Sequence, residues 1–244
     1  MRSEERENEL TFNSSNFLEM YRLLSLLFIC FFVGSLRLYA QNIKLDKNKF
    51  EAIGSYISIE KLMGKEVVKV IQDSTVTNAN QPTYARLKNI DFKNGTIEVT
   101  VLSRLSPNAH EGARGFIGIA FRINDSNSKY ECIYIRPTNG RADDQVRRNH
   151  SIQYYSFPDY KFDRLRKESP EKYESYADMG LNEWIKLKIV IKDSNAKFFI
   201  NNAGQPALIV NDLKHGPDAS GAIGFWIDLG TEGYFADLKI IKDQ

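Results

Sequence analysis

Little in this sequence can cross-link it or anchor it. Of 244 residues only two are cysteines, and Cys30 falls inside an N-terminal apolar run. The rest of the chain keeps one thiol, Cys132, so no intrachain disulfide can form there and stability must come from apolar burial. No apolar run reaches the roughly 20 residues that a bilayer-spanning helix needs. Neither charge sign dominates: 33 Lys and Arg face 31 Asp and Glu, which argues against nucleic acid as a partner. Gly-x-Ser-x-Gly, His-Glu-x-x-His and a phosphate-cradling glycine loop are all missing, as is any sustained helical period.

What is present begins with an address. "MYRLLSLLFICFFVGSLRLYAQ" has a basic start at Arg22, an apolar run from Leu23 to Val33 and a small residue, Ala40, before Gln41. That is the pattern of a secretory signal peptide cleaved after Ala40. The segment before it is acidic, so Met20 stands beside Met1 as a start. Cys30 lacks the small residues that precede a lipid-modified cysteine. The expected organisation is an N-terminal extension and signal peptide over residues 1–40 and one domain over 41–244. That domain is expected to be secreted or periplasmic, with no membrane span in the mature protein.

After Gln41, short apolar runs alternate with clusters of Gly, Asn and Asp. "EVVKVI", "TYARLKNI", "GFIGIAFRI", "YECIYIR", "HSIQYYSF", "WIKLKIVIK", "AKFFIN", "ALIVNDL", "GAIGFWIDL" and "YFADLKII" read as strands. "FKNGTIEVTVLS" adds another, with Asn94-Gly95 as a hairpin-type turn. Ten or more strands at such intervals predict an all-β protein, a two-sheet antiparallel sandwich of jelly-roll form. One excursion, "DYKFDRLRKESPEKYESYADMGLNEW", breaks the pattern and predicts a short helix over residues 169–176, opened by Ser-Pro.

The strand faces differ. In "WIKLKIVIK" the face opposite the apolar one carries Lys186, Lys188 and Lys192, an ordinary solvated surface. In "GFIGIAFRI", "YECIYIR" and "GAIGFWIDL" that face carries Gly118, Ala120 and Arg122, then Tyr134 and Arg136, then Gly224, Trp226 and Asp228. Glycine inside a strand marks a close approach by a ligand or another backbone. Neighbouring rings supply flat apolar plates, and Arg and Asp supply the directional hydrogen bonds that sugar hydroxyls need.

On the stretches "FKNGTIEVTV", "GFIGIAFRI…YECIYIRP" and "SGAIGFWIDLGTEGYFADLKI", the chain resembles the concanavalin A-like lectin/glucanase superfamily. The resemblance lies near its laminin-G-like members and the 3-keto-disaccharide hydrolase domains, and covers residues from about 50 to 241. It implies two curved antiparallel sheets, with carbohydrate bound on the concave sheet or its rim loops. The Glu-x-Asp-x-x-Glu of laminarinase-type glucanases does not occur here.

The candidate ligand residues follow. Tyr134, Tyr155 and Trp226 are the expected stacking platforms, with Asp228 beside Trp226. The loop "NGRADDQVRRNHSIQ" adds Arg136 from the strand before it, then Asn139, Arg148, His150 and Gln153 as a polar rim. Arg141 and Arg147 are expected instead to pair with Asp143, Asp144, Glu171 or Glu174. If the domain cleaves glycosides in the 3-keto-disaccharide manner, His150 with one of Asp144, Glu131 or Glu232 serves as acid and base. A concave face that binds protein is the third alternative. "GTEGYF" reads as a turn holding Glu232, and "NDSNS" as a hairpin turn. The oxygens of "NDSNS" suit calcium in number but lack the regular Asp pattern and closing Glu of a calcium loop. His110 and His215 read as surface residues, and no cofactor is expected. Carbohydrate is the expected partner.

Overall fold

The computed structural model describes residues 40–79 and 81–243; Ala40 aside, the expected signal peptide lies outside them. Two antiparallel sheets face each other. The first runs, edge to edge, through β13 (Leu208–Val210), β12 (Asn195–Ile200), β11 (Ile185–Lys192), β6 (Gly95–Leu105), β15 (Thr231–Lys242), β4 (Lys65–Gln72) and β3 (Ser55–Leu62). Short β1 (Ala40–Asn42) pairs with the last residues of β15. The second runs through β10 (Glu174–Ser175), β9 (Ile152–Phe157), β8 (Tyr130–Ile135), β7 (Ile117–Ile123), β14 (Ala222–Ile227), β5 (Tyr84–Leu87) and β2 (Phe50–Ile53). This is the two-sheet jelly-roll sandwich that the alternating strands predict.

The layer between the sheets is built by the apolar face of each strand. Phe225 of β14 stacks on Phe235 of β15 at 4.5 Å between centroids, almost parallel, and Phe50 packs against Phe225 at 5.2 Å. Ile119, Ile133, Val99, Leu187 and Ile189 are likewise fully buried. Each such side chain contributes about 1.5–3 kcal/mol relative to leaving it in water. Strand β11 alternates core and solvent as the lysine face predicts, whereas every residue of β7, β8 and β14 is buried. The second sheet is therefore covered on both faces.

Several local expectations are corrected. Asn94-Gly95 is not a hairpin turn, because the strand before it, β5, belongs to the other sheet. Gly95 has φ +135°, and a Cβ there would run into the Ile241 carbonyl of β15. Glu232 sits within β15 rather than in a turn, opposite Ile71 and Arg104. The excursion's helix, α3 (Phe162–Glu168), lies before residues 169–176. Pro170 disfavours helical backbone at Ser169, and Leu165 is the buried residue of the helix. Two further helices, α1 (Pro137–Gly140) and α2 (Gln145–Asn149), occupy what reads as loop. Strands β2 and β3 escape the sequence pattern. The β3–β4 connection turns at Met63 and Gly64, both with positive φ, a primed two-residue turn without the usual Asn-Gly signal.

Candidate functional site

The outer face of the second sheet carries the residues that alternation assigns to it. Across the strands, Tyr84, Trp226, Gly118, Tyr134 and Gln153 form one row, and Arg86, Gly224, Ala120, Cys132 and Tyr155 the next. The rings pack on each other. Tyr134 lies 4.8 Å from Trp226 and 5.8 Å from Tyr155, and Tyr155 lies 5.8 Å from Tyr130. The Tyr130 and Tyr155 hydroxyls share a hydrogen bond of 2.9 Å. Trp226, Tyr155 and Tyr134 are all fully buried, so in the structure the three expected stacking platforms form a second apolar layer rather than open plates. The glycines serve this layer. A Cβ on Gly118 would lie 2.5 Å from Tyr134 Cα, and one on Gly224 would lie 3.1 Å from the Tyr84 ring. Both admit the protein's own atoms.

Arg122 departs from this face. A register shift opposite it in β14 and its left-handed φ of 54° turn its side chain away. The guanidinium, in a residue 2% exposed, donates to the carbonyls of Lys93, Gly216 and Asp193 and to Asn94 Oδ1. It ties three loops together instead of facing a ligand.

The open space lies at the end of the aromatic layer. A cleft of about 380 Å³ is lined by Tyr134, Arg136, Asn139, His150 and Asp228, five residues that the sequence singles out. Strand β8 brings Tyr134 and Arg136 to its edge, and α1 carries Asn139. His150 follows α2 as its C-terminal cap, and Asp228 follows β14. Phe116 and Phe162, both half-buried, add apolar wall, and His110, Arg114, Arg147 and Arg166 complete the polar lining.

Arg136 is held from several sides. Its Nη2 donates to Tyr134 Oη at 2.7 Å and to Gln153 Oε1 at 3.2 Å, and its Nη1 to the His150 carbonyl at 2.9 Å. The guanidinium lies 4.9 Å from the Tyr134 ring centroid, within cation–π range. Gln153 is thus a buried support behind Arg136, its amide donating to the Tyr154 carbonyl. Asn139 Nδ2 also donates to the His150 carbonyl, at 3.2 Å, and Arg147 Nη2 reaches Asn139 Oδ1 at 3.5 Å.

Behind the cleft wall stands Glu174 of β10, whose side chain is 3% exposed. It takes hydrogen bonds from Nε and Nη2 of Arg166 and lies 3.5 Å from Arg136 Nη1. His150 Nδ1 is 3.0 Å from Glu174 Oε2, near enough to feel its charge but off-line for a hydrogen bond. Burial is the largest influence on His150 and pushes its pKa below the usual histidine value. Glu174 pulls the other way, and Arg166 and Arg136 add to the depression. A neutral imidazole at pH 7 follows. Arg166 titrates higher than usual because Glu174 accepts its hydrogen bonds.

Other candidates stand elsewhere. Arg148 Nη2 donates to Tyr176 Oη at 2.9 Å beside a neighbouring depression, on the far side of His150 and Glu174. Arg141 does pair with acids, but with Asp178 and Glu183. Arg147 is the reverse, lining the cleft with no ion pair to a described residue. Asp144 caps α2, accepting from Arg147 N. Glu131 is buried, accepting from Tyr154 Oη and His215 N. Glu232 lies on the outer face of the first sheet against Tyr234 and Lys69. None of these three carboxylates lines the cleft with His150. His215 is not a free surface residue, since its Nε2 lies 3.0 Å from both Ser156 Oγ and the Phe157 carbonyl. In "NDSNS", Asn124 Oδ1 accepts from Ser128 N and Lys129 N, closing the hairpin between β7 and β8. Among the described residues no three His, Cys, Asp or Glu side chains converge as metal ligands, and no helix is long and apolar enough to cross a membrane.

Sequence reasoning passes over Arg114, Arg166, Phe116, Phe162 and Glu174 as site residues. Each lies outside the central loop, and no local pattern marks it.

No protein-family profile and no curated protein matches the sequence. Among solved structures the chain is similar to the carbohydrate-binding module CBM66 from Bacillus subtilis. The TM-score is 0.53 at 10% identity, over 79% of this chain and 95% of that one. It is similar as well to a protein of unknown function with a galectin-like fold from Bacillus subtilis. Here the TM-score is 0.51 at 13% identity, over 84% of this chain and 95% of that one. At such identity the likeness is one of fold, a two-sheet β-sandwich.

Proposed function

We propose that the protein is an exported carbohydrate-binding domain and that the cleft at the edge of the second sheet holds the sugar. One observation carries this reading. Two half-buried phenyl rings, Phe116 and Phe162, share a concave space with the fixed donors Arg136 and Asn139 and the acceptor Asp228. Sugars present apolar ring faces and an array of hydroxyls, and a site with a few well-held polar groups on apolar walls answers both. Arg136 and Asn139 are already ordered by their own hydrogen bonds, so binding freezes little that was mobile. The fold shared with a carbohydrate-binding module supports the reading but does not choose the ligand. Hydrolysis of a glycosidic bond in the usual manner needs two carboxyl groups facing the sugar. Asp228 is the one carboxylate lining the cleft among the described residues, so binding is the reading adopted.

The test is a glycan array followed by calorimetry on the best ligand. Asn139→Ala and Phe162→Ala are expected to weaken binding by about 1–3 kcal/mol each, the scale of a lost hydrogen-bond partner or a buried apolar side chain. Absence of binding across a broad array, or affinity indifferent to both variants, would count against the cleft.

A further inference from the structure

The charge lining the cleft is lopsided in a chain that is nearly neutral overall. Four arginines line it, Arg114, Arg136, Arg147 and Arg166. Glu174 meets two of them, Arg136 and Arg166. Arg114 and Arg147 have no such partner. Arg114 Nη1 donates to the backbone carbonyls of Glu111 and Ala113, at 2.6 and 2.8 Å, and Arg147 Nη2 reaches the amide oxygen of Asn139. Neither is in an ion pair with a described residue.

Resting on the proposal that the cleft binds sugar, we propose that its ligand is an acidic saccharide whose carboxylate or sulfate seats against the guanidiniums of Arg114 and Arg147. Two like charges line one cleft, neither in an ion pair with a described residue, and such a pair can be completed by an anion from outside. Guanidiniums match the planar oxygens of a carboxylate or the paired oxygens of a sulfate ester in forked geometry. Burial first, and next the like charge of Arg147, which outweighs Glu111, push the Arg114 pKa down. Asp228 lies in the same cleft and repels an anion placed beside it. The acidic group therefore belongs at the Arg114–Arg147 wall, with the neutral part of the sugar toward Asp228, Phe116 and Phe162.

Calorimetry on the whole protein with three oligosaccharides of equal length tests this: an oligogalacturonate, an uncharged galactan and a sulfated galactan. The expected result is binding of at least one acidic oligosaccharide at least tenfold tighter than the uncharged one. Arg114→Gln and Arg147→Gln should each weaken it by about tenfold, while Arg164→Gln, on the exposed face of α3, leaves it unchanged. Which acidic arm binds distinguishes a uronate from a sulfate ester. Should Arg114→Gln impair folding, Arg147→Gln on exposed α2 decides alone. Equal binding of charged and uncharged oligosaccharides overturns the acidic ligand while leaving sugar binding standing. An equal loss in Arg164→Gln, or stronger competition by a single-stranded oligonucleotide, overturns the acidic ligand in favour of unspecific polyanion attraction. Binding of no oligosaccharide at all overturns both proposals.

Discussion

Glu174 Oε2 lies 3.0 Å from Nδ1 of His150, and the same carboxylate accepts both hydrogen bonds offered by the Arg166 fork. A residue of the shortest strand, β10, thereby joins α3, the end of α2 and Arg136 behind the cleft. Removing one partner of a buried charge cluster leaves the others uncompensated, which costs more than the pair itself contributes. Glu174→Gln is expected to lower stability by about 3–5 kcal/mol, read as a shift of the urea midpoint. A loss under about 1 kcal/mol would show that the carboxylate is not the anchor.

The depressed pKa of His150 predicts how stability varies with pH. As pH falls below the unfolded histidine value of about 6.5, the unfolded chain takes up a proton that the folded chain resists. The contribution is therefore present above about 6.5 and is lost as pH falls through the lower folded value. His150→Gln should flatten the melting temperature between pH 7.5 and 5. A second decline belongs to strong acid. Although burial acts to raise it, Asp212 is lowered to about 2 by hydrogen bonds from Tyr173, Lys214 and Lys172. Its contribution is present above the usual 3.8 and is lost as pH falls toward 2, and Asp212→Asn should remove that step alone. Melting curves of wild type and both variants across pH 7.5 to 2 separate the two.

Trp226 offers a direct contrast between a plate for sugar and a piece of core. Fully buried and packed on Tyr134 and Tyr155, it should cost about 3–5 kcal/mol of stability when cut to alanine. A variant that keeps its stability but loses glycan binding would return Trp226 to the ligand surface. Chemical denaturation and array binding on the same preparation give both numbers.

Arg122→Met tests the loop tie. The variant keeps much of the side chain's length but leaves three backbone carbonyls and Asn94 Oδ1 without their donor. A loss of about 3 kcal/mol or more is expected, since buried acceptors stripped of a charged donor cost about 1–3 kcal/mol apiece. Hydrogen exchange should rise around Asn94, Asp193 and Gly216. An unchanged exchange pattern would mean that the loops hold without it.

The N-terminal address is tested by the exported product. Expressed from the full sequence in a secreting host, the protein should start at Gln41 when its terminus is sequenced. An uncleaved terminus in the soluble fraction would overturn the signal-peptide reading.

The amino-acid pattern alone determined the architecture, for a physical reason. A sheet with one face in a core must alternate with period two, and "WIKLKIVIK", "GFIGIAFRI" and "GAIGFWIDL" each put four large apolar side chains at every second position. It also singled out Tyr134, Arg136, Asn139, His150 and Asp228 as candidates, but their meeting at one cleft is a property of the fold, since alternation does not order strands within a sheet. Tertiary structure decided the rest. Whether a ring on a strand face meets water depends on what packs over it, so the buried Tyr134, Tyr155 and Trp226 read the same in sequence as open plates. A single left-handed residue with a register shift turned Arg122 away, and no periodicity encodes that. Charge balance at the cleft is a sum over residues brought together from β8, α2, α3, β10 and the loop before β7. Only the folded chain shows that Glu174 meets Arg136 and Arg166, while Arg114 and Arg147 line the same cleft without an ion pair to a described residue.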